Sequence, residues 1–140
     1  MKKACLAVSV IALVLSACST VEPLAPTSVQ QAADAQRDPK CKVNESISRN
    51  AIPQTPNNMS LPSFGQGIIG WASGMEGAKS RVATVSKADI PDFKAKGVTL
   101  AMVQEWQAFY ENEVRRNPCN PTAPYRAELM KKIANLWVGE

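Results

Sequence analysis

The strongest constraint on this chain is a pair of apolar stripes at helical spacing, separated by a segment that no helix crosses. Met102, Val103, Trp106, Phe109, Tyr110 and Val114 fall at three- and four-residue steps, and Leu129, Met130, Ile133, Leu136 and Trp137 repeat the pattern. Such spacing gives each helix one apolar face. Thr99 is a good N-cap for the first helix, predicted to run to about Arg116, where Arg115 and Arg116 suit the negative end of the helix dipole. Asn117-Pro118-Cys119-Asn120-Pro121 then interrupts it, because proline removes a backbone donor and clashes with the preceding turn. A second helix is predicted from near Thr122, with Pro124 in its first turn, to about Val138. Two amphipathic helices joined by a short loop form an antiparallel hairpin. A shorter helix is expected from about Ala88 to Lys96, ending at Gly97 in a left-handed cap. There is no convincing strand alternation, repeat or second domain. The expected class is all-α: a small helical domain with a C-terminal helical hairpin, preceded by a disordered tether.

The N-terminus carries a different kind of information. Met1-Lys2-Lys3 is positive, and Ala4 to Leu15 contains Ser9 as its one polar side chain. That is the length of a signal-peptide core and too short to span a bilayer. Leu15-Ser16-Ala17-Cys18 closes the segment, and here the chain resembles the lipobox of bacterial lipoproteins. The resemblance implies cleavage before Cys18, a diacylglycerol on the Cys18 thiol and acylation of the new amine. One acyl chain binds a membrane marginally, whereas two or three anchor it stably. Ser19 follows where an aspartate is the usual inner-membrane retention signal. In a Gram-negative host this implies the outer membrane, facing the periplasm. The alternative is an ordinary secretory signal cut near Ala17 with Cys18 unmodified.

Removal of residues 1–17 from 140 leaves 123, enough for one modest domain. Two of the 16 basic residues leave with that segment, so the remainder carries 14 against 12 acidic. A net charge near +2 makes no case for nucleic-acid binding. Of four cysteines, Cys5 is discarded and Cys18 carries lipid by resemblance, so Cys41 and Cys119 remain for a disulfide in an oxidising compartment. Two free thiols or pairing between chains is the alternative. The bridge closes a loop of about 78 residues, roughly 4.5 kcal/mol in the chain-entropy model.

Residues 18–63 are rich in Pro, Ser, Thr, Asn and Gln and poor in large apolar side chains, a composition that does not offset its own ordering entropy. They read as a tether, with a short helix around Ser28 to Gln36. If Cys41 is bonded to the domain, the leash shortens to Ser19–Lys40, roughly 25 Å as a coil and about 70 Å at full stretch. Residues 42–63 then run over the surface as an irregular strap. The helical domain is expected over 64–140. Phe64 to Ala78 mixes large apolar residues with five glycines, so helix there is weak. If it is helical, Gly70, Gly74 and Ala78 make one smooth face.

Candidate chemistry is sparse. Gly65-Gln66-Gly67-Ile68-Ile69-Gly70 matches the dinucleotide fingerprint letter for letter, but the segment before it reads as loop where the mechanism needs a buried strand. It is rejected as a cofactor site. With no histidine, Ser-His-Asp and Cys-His catalysis and the usual zinc sites are excluded, and no metal or cofactor is expected. A lone carboxylate remains: Glu76 first, Glu105 beside Trp106 second, either needing a pocket that raises its pKa. Ile68, Ile69, Trp71 and Met75 could line a groove for a small apolar ligand.

Gly97-Val98-Thr99, Trp106 with Phe109-Tyr110, Asn117 to Ala123, and Arg126 with Leu129-Met130 resemble a pattern in small uncharacterised bacterial and phage-linked proteins, over roughly residues 64–137. The resemblance brings no activity with it. The expected function is a non-catalytic binding or structural module, membrane-anchored through its N-terminal lipid, for an envelope protein partner. Its candidate contact residues are Trp106, Tyr110, Tyr125 and Arg126, aromatics and arginine being common interface anchors. A peptidoglycan-binding or weakly cleaving protein and an apolar ligand carrier are the alternatives.

Overall fold

The computed structural model describes residues 41–138; the signal segment, Cys18 and the leash to Lys40 lie outside them. Among the described residues every regular element is a helix. They are a 3-10 turn Pro56–Asn58, then α1 (Leu61–Phe64, continued by a π turn over Gly65–Ile69), α2 (Gly74–Thr84), α3 (Ile90–Ala95, after a 3-10 turn Lys87–Asp89), α4 (Leu100–Arg116) and α5 (Ala123–Val138).

The hairpin is as its sequence predicts. Thr99 caps α4, its hydroxyl accepting from the Met102 N–H at 3.1 Å, and Gly97 turns the chain at φ 82°. In the loop, Asn120 Oδ1 accepts from the Thr122 N–H and hydroxyl at 3.1 and 2.8 Å. α4 and α5 pack along each other and α2 lies against α5. Val103, Trp106, Phe109 and Tyr110 are buried from α4 and Leu129, Met130 and Ile133 from α5, whereas Met102, Val114, Leu136 and Trp137 sit half-buried at the edges. The small residues Ala123, Ala127 and Ala134 are also buried on α5.

The glycine-rich segment departs from expectation. A continuous helix does not form over 64–78, and Gly70, Gly74 and Ala78 share no face, because Gly70 and Gly74 take φ of 85° and 80° and end and restart the helices. The Gly65 carbonyl accepts from both Gly70 N–H (2.8 Å) and Trp71 N–H (3.0 Å), which widens the last turn and swings Trp71 back over it. A Cβ on Gly65 would fall inside the Trp71 indole. Ala72 follows at φ 48°, a conformation that costs an alanine roughly 1–2 kcal/mol. Burial of Trp71 to 2 % exposure offsets it. Full burial of a large side chain contributes about 1.5–3 kcal/mol, and each of its ring contacts with Phe64, Trp106 and Tyr110 about 0.5–1.5 more.

Arg81 on α2 holds the end of this turn. Its Nε donates to the Ile69 carbonyl and its Nη2 to Asp89, both at 2.8 Å. Partial burial pushes the Asp89 carboxyl up. The Arg81 hydrogen bond and charge and the Ser86 amide outweigh that, and hold it below its ordinary 3.8. Lys132 on α5 donates to the Val82 carbonyl at 2.6 Å, tying the end of α2 to the hairpin.

Residues 41–60 form the strap, pinned by a Cys41–Cys119 disulfide with Cα atoms 5.6 Å apart. The strap runs antiparallel to α4. Asn44 N–H donates to the Arg116 carbonyl (2.7 Å). Asn112 accepts from Asn50 N–H (2.9 Å) and donates to the Ser48 carbonyl (3.1 Å). The Trp106 indole N–H donates to the Gln54 carbonyl (3.0 Å), and Pro56 is buried near Gly97. One buried amide therefore serves an N–H and a carbonyl that a sheet partner would otherwise satisfy.

Two outcomes follow from this packing. Gly65→Ala should lower unfolding stability by about 3 kcal/mol through overpacking, while Gly67→Ala, whose added methyl meets nothing within 4 Å, should leave it unchanged or slightly raised; chemical denaturation checks both. Asn112→Leu should cost about 1–3 kcal/mol by stranding two strap groups, and hydrogen exchange at the Asn50 amide should accelerate first.

Candidate functional site

Tyr110 follows Trp106 by one helical turn on the buried face of α4, and Arg126 stands in the first turn of α5. The hairpin brings them together. The Arg126 guanidinium lies 4.7 Å from the Trp71 ring centre and 5.6 Å from that of Tyr110. Its Nη1 donates to the Tyr110 hydroxyl at 3.3 Å. Its Nε is buried without a hydrogen-bond partner. An unmet buried donor costs about 1–3 kcal/mol, and cation–π contact returns about 0.5–2. Among the described residues Arg126 makes no ion pair.

The strap supplies the opposite wall. Arg49 lies 5.4 Å from the Phe109 ring centre and donates from Nε to Glu113 at 3.1 Å. Arg116 reaches the same carboxylate oxygen at 3.5 Å. Glu113 is itself almost fully buried. Arg49 is half exposed, and the two arginines together compensate the buried carboxylate. Between the walls lies a cleft of about 120 Å³, floored by Trp106, Phe109 and Tyr110, lined by Arg49, Glu113, Asn120 and Arg126 and edged by Ile52 and Leu61. Ile52 is 66 % exposed and Leu61 37 %, two large aliphatic side chains left in solvent at its mouth.

Burial pushes the Tyr110 hydroxyl above its ordinary value of 10.0, against the charge and hydrogen bond of Arg126 and with a smaller upward push from Glu113. It therefore remains a proton donor. Since its oxygen already accepts from Arg126, its own O–H is left to point elsewhere.

The residues expected to contact a partner separate. Trp106 is fully buried with its indole N–H bonded to Gln54, so it is a core residue that reaches the cleft only as part of its wall. The strap, which covers that side of α4, is the reason. Tyr110 is likewise buried and reaches the cleft as part of its wall. Tyr125 is half-buried on the same helix turn as Arg126, outside the cleft lining. Arg126 is at the cleft. Glu76 is exposed in the first turn of α2, where a carboxylate suits the helix dipole, and Glu105 is exposed on α4; neither is enclosed. The apolar groove does not form, because Ile69 and Trp71 are spent in the core. The dinucleotide-like glycines sit in a helix and its π turn, with no strand before them. No group of three metal-ligating side chains occurs among the described residues, and no helix there is long and apolar enough to cross a membrane.

Arg49, Asn112 and Glu113 were not legible as site residues. Glu113 does lie one turn beyond Phe109 and Tyr110, so the period of the stripe carries it onto the buried face. A charge at such a position is the signal that points to a polar cover.

A family model described as a domain of unknown function, DUF4951, matches residues 39–137. The match begins ahead of the 64–137 outlined by the C-terminal motif and takes in the strap. A solved structure, an NMR structure of a protein from Acinetobacter baumannii, is 52 % identical, covers 69 % of this chain and 90 % of its own, and superposes with a TM-score of 0.59. No curated protein matches the chain.

Alkaline titration tests the Tyr110 environment. A raised folded value means that its stabilisation is present below pH 10.0 and lost as pH rises through the folded value. With two tyrosines in the chain, the tyrosinate absorbance should show a late component that Tyr110→Phe removes. An identical titration of both proteins would contradict it.

Proposed function

The chain belongs to the DUF4951 family, a domain of unknown function, and from that premise we propose that it is a non-catalytic binding module displayed at a membrane surface. The observation that carries the reading is the cleft: an arginine resting against two aromatic rings, without a carboxylate partner, beside exposed Ile52 and Leu61. Fixed charge and exposed aliphatic surface in one place are what a recognition site needs. The disulfide suits an exported protein. The lipobox-like Leu15-Ser16-Ala17-Cys18 supplies the anchor and Ser19 the outer-membrane destination, and the partner is an envelope component within reach of a short leash. The reading as a wall-cleaving enzyme on a lone glutamate gains no support from the open positions of Glu76 and Glu105.

The test uses the full chain in its host. Labelled palmitate should enter the protein and Cys18→Ser should abolish both label and membrane fractionation. Photo-crosslinking side chains at positions 52 and 61 should yield the same adduct, while one at exposed Ala101 should not. Adducts that differ between 52 and 61, or that appear equally from 101, would remove the cleft as the contact.

A further inference from the structure

We propose that the Arg126 cleft binds the carboxylate end of a peptide whose last side chain is small and apolar. This deepens the binding-module reading and rests on it.

Charge comes first. Arg49, Arg116 and Arg126 stand around one carboxylate, Glu113, which Arg49 and Arg116 already bridge. Counting those four groups, the locality carries two positive charges in excess, and the uncompensated one nearest the cleft floor is Arg126. A bound carboxylate removes one of the two without breaking an existing pair.

The donors have the right form. Guanidinium presents its N–H groups in a rigid fork that matches the two oxygens of a carboxylate. Arg126 gives an Nη1 hydrogen to Tyr110 and its Nε is buried out of a ligand's reach, so the hydrogens left on its two Nη atoms are the edge of the fork available in the cleft it lines. The ring contacts with Trp71 and Tyr110 hold the fork in place before any ligand arrives, so little side-chain entropy is lost on binding. The Tyr110 hydroxyl, accepting from Arg126, can donate its own proton to the same anion.

Size and polarity then select among anions. The space of about 120 Å³ is below that of a cavity that holds benzene, about 150 Å³. It is also well below the 300–1,000 Å³ of sites that enclose whole metabolites. An end group fits, with the rest of the ligand outside. Ile52 and Leu61 at the mouth favour a carboxylate that carries an aliphatic group over a fully hydrated ion such as phosphate.

The experiment is isothermal titration of the full-length chain with N-acetyl-alanyl-alanine, its C-terminal amide, acetate and inorganic phosphate. The acid should bind with a Kd of about 1 mM or tighter. The amide and both small ions should bind at least roughly tenfold more weakly, since a charge-assisted pair is lost or the apolar contact is missing. Arg126→Gln should weaken the acid by a similar factor, with Arg126→Lys retaining part of the affinity. Because Arg126 packs on Trp71, a second variant is needed: Ile52→Glu, at a 66 % exposed rim position, should leave the melting temperature unchanged and weaken the acid about tenfold by like-charge repulsion. Equal binding of acid and amide, phosphate binding as tight as the acid, or no binding of the acid by the folded wild-type chain each overturns the proposal. A shared crosslink from positions 52 and 61 together with no binding of the acid would reject the carboxylate while leaving the binding module standing. Binding of the acid without any crosslinked partner would do the reverse.

Discussion

The indole of Trp71 occupies the space that a side chain on residue 65 would need, and the neighbouring structure is arranged around that contact. To place it there the chain ends α1 in a π turn, reverses at Gly70 and puts Ala72 in a left-handed conformation. Once inside, Trp71 meets Phe64, Trp106 and Tyr110 at ring separations of 5.6–6.4 Å, reinforcing the direct Phe64–Trp106 contact that joins α1 to α4. Its outer face receives Arg126. Core and cleft share Trp106, Phe109 and Tyr110, and the charge at the cleft rests against the Trp71 ring that closes the core.

The strap meets a second constraint. A segment without regular structure carries one amide and one carbonyl per residue, and laying it on an apolar helix face would leave those groups unmet. α4 answers with polar atoms on its buried side: Asn112 for Ser48 and Asn50, the Trp106 N–H for Gln54, and Glu113 for Arg49. The disulfide stops the free end from peeling away at the hairpin loop. The same arrangement that seals α4 also carries Arg49 to the cleft and leaves Ile52 at its mouth.

Helix periodicity made α4, α5, the Thr99 cap and the Gly97 turn legible, because local rules decide them: side-chain spacing, a hydroxyl acceptor for open amides, and a residue without Cβ penalty. The Cys41–Cys119 pair was legible once the resemblance to a lipoprotein signal set Cys5 and Cys18 aside. Trp106 lies under the strap and only walls the cleft, because periodicity reports which face is apolar, not what covers it. The glycine-rich segment was misjudged for a related reason. Spacing of four among Gly70, Gly74 and Ala78 is equally consistent with a smooth helix and with two turns, and the choice lies with Trp71, whose burial depends on residues 35 or more positions away.

By itself, then, the sequence determined an all-helical domain with a C-terminal hairpin, and the cysteine pair able to pin a strap to it. These are outcomes of short-range periodicity, capping and valence. Only the tertiary structure decided that Arg49, Tyr110, Glu113 and Arg126 surround one cleft, and that Glu76 and Glu105 stand open. Such assignments depend on long-range packing, on which ring an arginine rests against and which helix face a strap covers, and no local rule encodes them.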